Sequence, residues 1–159
     1  GEDASHRVPD TIAQRMQACV TCHGEQGRAT SEGWNPRIAG KPAGYLYNQL
    51  VNFREGRRYN ASMIYLVEHL SDAYLREMAE YFAGLDLPYP PPQAPNTSNA
   101  ILAHGERLAL EGDRARRIPA CVQCHGRRLT GALPAIPGLL GLPRDYVAGQ
   151  FAFWANGQR

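Results

Sequence analysis

Two pentapeptides constrain this chain more than any other feature: Cys19-Val20-Thr21-Cys22-His23 and Cys121-Val122-Gln123-Cys124-His125. Together they use all 4 cysteines of the 159 residues, so none remains for a disulfide framework. In a helix the two thiols of such a pair lie one turn apart, where both face one porphyrin edge and can form thioethers with its vinyl groups. The adjoining imidazole then reaches the iron. A redox-active dithiol or a four-cysteine zinc site would account for the cysteines but would leave His23 and His125 without a role. A redox dithiol also expects strands alternating with helices, and zinc ribbons join their pairs across a much shorter interval. The residues therefore predict two covalently attached haem c groups, with His23 and His125 as iron ligands.

The surroundings of the two sites repeat as well. Cys19, Cys22 and His23 recur 102 positions later. Past a one-residue deletion, Pro36, Gly40, Pro42, Tyr45, Gln49, Gly56 and Arg58 recur 101 positions later as Pro137, Gly141, Pro143, Tyr146, Gln150, Gly157 and Arg159. Order and spacing persist over so many matches that the chain reads as a tandem duplication. Between the copies, the stretch from Leu87 to Asn99 holds 5 prolines, which forbid helix and favour an extended connector. The expected organisation is an N-terminal unit at residues 1–87, a proline-rich linker at 88–99 and a C-terminal unit at 100–159, incomplete at its C-terminus. Units this small bury a modest core, so a large apolar cofactor would supply much of each interior.

The expected fold is all-α. Ile12, Met16 and Cys19 share a helical face leading into the first site, and Tyr45, Gln49, Leu50 and Phe53 mark a second helix before Gly56. Ser71 and Asp72 form a cap signal for a third, whose stripe of Leu75, Met78, Ala79 and Phe82 ends near Gly84. In the second copy, Ile101, Leu102, Leu108 and Leu110 suggest a helix before the site, and residues 146–154 echo the helix after it. No alternating strand pattern stands out.

A haem iron held by one histidine has a second axial position, and its occupant separates electron transfer from chemistry at the iron. Met16 and Met78 fall on core-facing helical positions, which leaves Met63, alone between helices, as the expected sixth ligand of the first haem. An ordinary packed methionine is the alternative for Met63, and His69 is the weaker competitor. After His125 there is no methionine, histidine, cysteine or lysine. The second sixth ligand is thus expected beyond Arg159, with an open iron or a ligand such as His104 as the alternatives. A formal charge of +2 from 17 basic and 15 acidic residues is too balanced for a nucleic-acid surface. No run approaches the roughly 20 apolar residues of a membrane span. The opening residues Gly1-Glu2-Asp3-Ala4-Ser5-His6-Arg7 lack a secretory layout, so the signal of an exported protein would already have been removed.

The chain resembles the dihaem cytochrome c4 family, two class I cytochrome c domains in tandem. The resemblance covers nearly all of it. It is carried by both Cys-x-x-Cys-His sites, by Pro36-Arg37-Ile38-Ala39-Gly40, by Tyr45-Leu46-x-x-Gln49-Leu50-x-x-Phe53-x-x-Gly56-x-Arg58, by Met63, by Leu70-Ser71-Asp72 with Ala79-Glu80-Tyr81-Phe82-Ala83, and by Gly138-Leu139-Leu140-Gly141. It implies His and Met ligands for each haem, a pseudo-twofold pair of domains with the haems close together, and electron carriage with no substrate chemistry. The implied partners are redox proteins: a terminal oxidase, a dehydrogenase or other cytochromes. Carried over by position, the backbone carbonyls of Pro36 and Pro137 should accept the Nδ1 protons of His23 and His125. Tyr45, Tyr146, Gln49 and Gln150 suit either hydrogen bonds to haem propionates or helix core, and Arg37 and Arg58 suit either propionate charge balance or solvated surface. Covalent haem attachment implies the periplasm, with loose peripheral association to the membrane. Two rivals stand beside this reading: a haem enzyme whose second iron is open, and an electron-transfer subunit dedicated to one dehydrogenase complex.

Overall fold

The computed structural model describes residues 8–30 and 33–159; the opening heptapeptide read above for a secretory layout lies outside the described residues. The first half contains α1 (Ile12–Arg15), α2 (Gln17–His23), a 3₁₀ turn (Glu25–Gly27), α3 (Ala43–Arg54), α4 (Ala61–Val67) and α5 (Asp72–Ala83). The second contains α6 (Asn99–Glu111), α7 (Val122–His125) and α8 (Arg144–Ala155). Among the described residues there is no strand, only the isolated bridges Asp113 with Ile118 and Ala132 with Ile136.

Local chemistry sets the elements that frame the first site. The Ser71 side chain accepts from the Tyr74 amide at 3.2 Å and starts α5, whose Leu75, Met78, Ala79 and Phe82 are all buried before the helix stops at Gly84. Pro42 precedes α3, where its fixed φ suits helix entry, and α3 buries Leu46 and Phe53. Helix α3 packs across α5 and α4, and α1 lies against α5. Their shared core is Met16, Leu46, Phe53, Val67, Leu75, Met78, Ala79 and Phe82. Gly27, with φ at +71°, lets the loop after His23 sit on this core: a Cβ there would meet Ile38 Cγ1 at 2.7 Å and the Phe82 ring at 3.0 Å.

The second half has no comparable core among its described residues. Helix α6 buries no side chain, and α8 buries Tyr146 and Gln150. The 88–99 stretch is held at its start and near its middle. Arg37, only 3% exposed, donates to the carbonyls of Leu87 (2.5 Å) and Pro88 (2.8 Å). The Gln93 side chain accepts from the Arg144 amide at 2.8 Å, and the Arg144 guanidinium reaches the Ala94 carbonyl at 3.3 Å.

Three sequence expectations need correction. The entry helix breaks at Met16, which serves as C-cap of α1 and N-cap of α2. Met63 lies inside α4 and not in a loop, because Asn60 caps that helix by accepting from the Met63 amide at 3.0 Å. Arg37 and Arg58 are buried, so neither is solvated surface.

Candidate functional site

Each Cys-x-x-Cys-His segment ends a helix and turns into a loop that folds back on the histidine. Cys19, Cys22 and His23 lie on α2; Cys121 caps α7, which carries Cys124 and His125. Gly24 (φ +77°) and Gly126 (φ +87°) terminate the two helices in a conformation that a side chain would strain. The carbonyl of His23 then accepts from Ala29 at 2.7 Å, and that of His125 from Gly131 at 2.8 Å. One carbonyl closes each loop by receiving two amides. Gly27 accepts from Ile38 (2.8 Å) and Ala39 (3.0 Å), and Leu129 accepts from Leu139 (2.8 Å) and Leu140 (3.0 Å).

These closures bring Pro36 and Pro137 over the imidazoles. His23 Nδ1 lies 2.8 Å from the Pro36 carbonyl, and His125 Nδ1 lies 2.7 Å from the Pro137 carbonyl. A carbonyl can only accept, so each Nδ1 carries the proton and Nε2 keeps its lone pair, the tautomer of a metal ligand. Burial pushes the His23 pKa down, with Arg58 adding to the fall and the Pro36 bond opposing it, so the ring is held neutral. Burial also pushes the Cys19 thiol up, with Cys22 contributing. This donor set fits a covalently held haem: two thiols within one turn, beside an imidazole whose Nε2 has no protein partner among the described residues. Met63 is half-buried at the edge of the first-half core, and Met16 and Met78 are buried within it. His104 on α6 and His69 are exposed, the latter 3.4 Å from Glu68.

Between the halves stands a polar cluster drawn from matched positions. Arg58, 8% exposed, donates to Gln49 (3.1 Å) and crosses to Tyr146 (3.0 Å) and Gln150 (2.9 Å). Arg159 donates to Gln150 (2.8 Å) and crosses to Tyr45 (3.0 Å). The same guanidinium groups stack over Phe53 (4.8 Å) and Trp154 (4.5 Å), again 101 positions apart. In this structure Tyr45, Tyr146, Gln49 and Gln150 are thus engaged by arginines of the two halves.

One residue missed in the sequence lies at the same junction. Lys41, the only lysine in the chain, is 5% exposed and donates from Nζ to the Gly138 carbonyl at 2.8 Å, one residue past Pro137. Burial, assisted by Arg37, pushes its pKa down to about 8. Its uniqueness and its match to Leu142 at the 101-residue offset were the available signals.

No protein-family model matches the chain. It is 39% identical over 142 residues to the thiosulfate dehydrogenase electron acceptor of Thiomonas intermedia, covering 89% of this chain and 64% of that protein. It is 32% identical over 158 residues to cytochrome c4 of Pseudomonas aeruginosa, covering 98% of this chain and 76% of that protein. The chain spans just under two thirds of the thiosulfate dehydrogenase electron acceptors it matches, 64% and 65% of their lengths. Among solved structures, it resembles a thiosulfate dehydrogenase from Marichromatium purpuratum with a TM-score of 0.80 and 33% identity, over 94% of this chain and 33% of that one. Against reduced cytochrome c4 from Pseudomonas stutzeri the TM-score is 0.77 with 26% identity, over 100% of this chain and 83% of that one.

Proposed function

The chain belongs to the cytochrome c4 family, and from that premise we propose that it is a dihaem carrier relaying single electrons between redox proteins in the periplasm. Residues 1–87 and 100–159 form the two haem units and 88–99 joins them. Cys19, Cys22, Cys121 and Cys124 form the thioethers, His23 and His125 bind iron through Nε2, and Met63 is the sixth ligand in the first unit. Bound haem supplies a one-electron couple at the iron.

The chain's own groups orient and insulate that couple. The Pro36 and Pro137 carbonyls hold the Nδ1 protons, which fixes each ring plane and raises the basicity of the opposite nitrogen. The Arg58 and Arg159 clusters hold the halves in one arrangement, so the distance between the two sites stays constant. The observation that carries the reading is the pair of imidazole–carbonyl bonds at 2.8 and 2.7 Å beside matched cysteine pairs.

Two relatives are named as electron acceptors of thiosulfate dehydrogenase, which favours a dehydrogenase as donor and a terminal oxidase or another cytochrome as acceptor. No helix among the described residues is long and apolar enough to cross a membrane; the reading includes loose peripheral association with one. The test begins with the intact mass of the natural protein under denaturing conditions, and carbon monoxide binding is measured on that same protein. Two added haem masses and the absence of carbon monoxide binding after reduction are the expected results. No added haem overturns the proposal. Carbon monoxide on one haem replaces it with the rival in which the second iron is open.

A further inference from the structure

The two halves share their site loops but approach the second site through different chain. In the first half, α1 runs almost directly into α2. In the second, α6 ends at Glu111 and residues 113–118 form a tight hairpin, with Asp113 and Ile118 exchanging both amide bonds at 2.8 Å. The Asp113 carboxylate accepts from the Arg116 amide at 3.2 Å, and Arg117 takes φ +57° at the tip. Gly112, at φ +73°, permits the reversal: a Cβ there would stand 2.4 Å from the Ile118 carbonyl.

This hairpin presents Arg114, Arg116 and Arg117, and the loop after His125 presents Arg127 and Arg128; all five are exposed. Among the described residues none of their side chains has a hydrogen bond or ion pair. A cleft of about 350 Å³ runs between hairpin and α7, lined by Arg114, Arg117, Glu111 and Gln123 among others. Gln123 lies between the two cysteines, and it and Cys124 are exposed. The matched stretch of the first half has the opposite sign. Residues 111–128 hold five arginines against Glu111 and Asp113, a net charge of +3, whereas residues 9–26 hold Arg15 against Asp10 and Glu25, a net charge of −1. Arg15 is already paired with Asp10 at 2.8 Å.

We propose that the hairpin 113–118, α7 and the loop after it form the docking surface for an acidic electron-transfer protein, which makes the second unit the port of exchange. The proposal rests on the dihaem reading above. Unpaired arginines around a cleft beside a cofactor edge steer an acidic partner in solution and set its register on contact. They also cost no desolvation of existing ion pairs. In the first unit the matched Glu25 would repel the same partner.

The experiment uses the holoprotein, with both haems verified by mass, and an acidic plastocyanin as probe. Electron transfer from reduced holoprotein to oxidised plastocyanin is followed by stopped flow at low ionic strength, about 10 mM, where screening extends over roughly 30 Å. The variant Arg114→Glu/Arg117→Glu/Arg127→Glu is expected to slow the second-order rate by tenfold or more, within the usual range of electrostatic steering. Arg28→Glu, beside the first site, should change it less than about twofold. The wild-type rate should fall as salt is raised, and amide shifts on plastocyanin binding should fall in residues 112–128. An unchanged rate in the triple variant, or a larger loss from Arg28→Glu, overturns the docking surface alone. Absence of the two haems overturns the dihaem reading as well.

Discussion

Replacing Lys41 by methionine should make the stability of this protein less dependent on alkaline pH. The ammonium is buried against the Gly138 carbonyl, and burial, with repulsion from Arg37 adding to it, lowers its pKa from 10.5 to about 8. Below about 8 both folded and unfolded chains hold the proton, and the folded chain bears the full cost of a buried charge. Between about 8 and 10.5 the unfolded chain binds more protons than the folded one, so stability rises with pH. Above that window both are neutral and the cost is gone. A shift of this size corresponds to about 3 kcal/mol. Tyr45, whose hydroxyl is pushed up by burial and by Tyr146, works in the opposite direction above its ordinary value of about 10, but it does so in both proteins. Guanidinium unfolding followed by helix circular dichroism at pH 7, 8, 9 and 10, about one unit apart across the window, therefore isolates Lys41 as the difference between wild type and Lys41→Met. The wild type should gain about 3 kcal/mol relative to the variant across the window. At neutral pH the variant loses one charge-assisted hydrogen bond but also loses the buried charge, so its stability there should lie within about 2 kcal/mol of wild type. A wild-type-minus-variant difference that stays constant from pH 7 to 10 would refute the assignment of Lys41 as a buried, displaced titrating group.

Other substitutions probe the frame. Arg58→Met strands the oxygens of Gln49 and Tyr146, leaves Gln150 with Arg159 as its donor, and should cost about 3 kcal/mol in denaturant unfolding. Arg159→Met, at a half-buried position with two partners, should cost nearer 1 kcal/mol; equal losses would contradict the asymmetry of the cluster. Leu75→Ala, at a fully buried position of α5, should cost 2–5 kcal/mol, or about 2 if the site collapses, by the same assay. Gly112→Ala forces a side chain onto φ +73° against the Ile118 carbonyl. It should cost about 1–3 kcal/mol and loosen hydrogen-exchange protection of the Asp113 and Ile118 amides.

What was legible in the sequence was local or repeated. Helix α5 announced itself through Ser71, four apolar positions on one face and Gly84, because capping and amphipathic burial act within a few turns. The cysteine pairs and histidines were legible because their chemistry requires fixed spacing. The Nδ1 bonds to Pro36 and Pro137 were anticipated from family position, not from geometry, since they join residues 13 and 12 apart through loops without periodicity. Helix α4 escaped notice because its seven residues are too few to display a stripe; the Asn60 cap was its one signal. The arginine cluster escaped for a different reason. Its contacts across the halves span 88 to 114 residues, and nothing local distinguishes a guanidinium aimed at a remote tyrosine from one aimed at solvent or at a propionate.

The matched positions also define where the halves depart from symmetry, and this leads to one last expectation. Loop closure, imidazole orientation and the arginine–tyrosine contacts occur in both halves, so they serve what both sites need. Lys41 has Leu142 as its counterpart, and its ammonium reaches across to the loop that holds His125. A fixed positive charge favours the more electron-rich state of a nearby redox group, and poor solvation there leaves that charge weakly screened. Within the dihaem reading, Lys41→Met should therefore lower the potential of the second haem and leave the first nearly unmoved. Potentiometric titration at pH 6.5, about one and a half units below the lysine's folded pKa, measures this with Lys41 charged. The shift should shrink when the titration is repeated above pH 9, where wild type has lost the same charge. Equal displacement of both potentials would instead mean that Lys41 acts on the arrangement of the halves as a whole. A shift that persists unchanged at high pH would mean that packing, and not the ammonium, sets it.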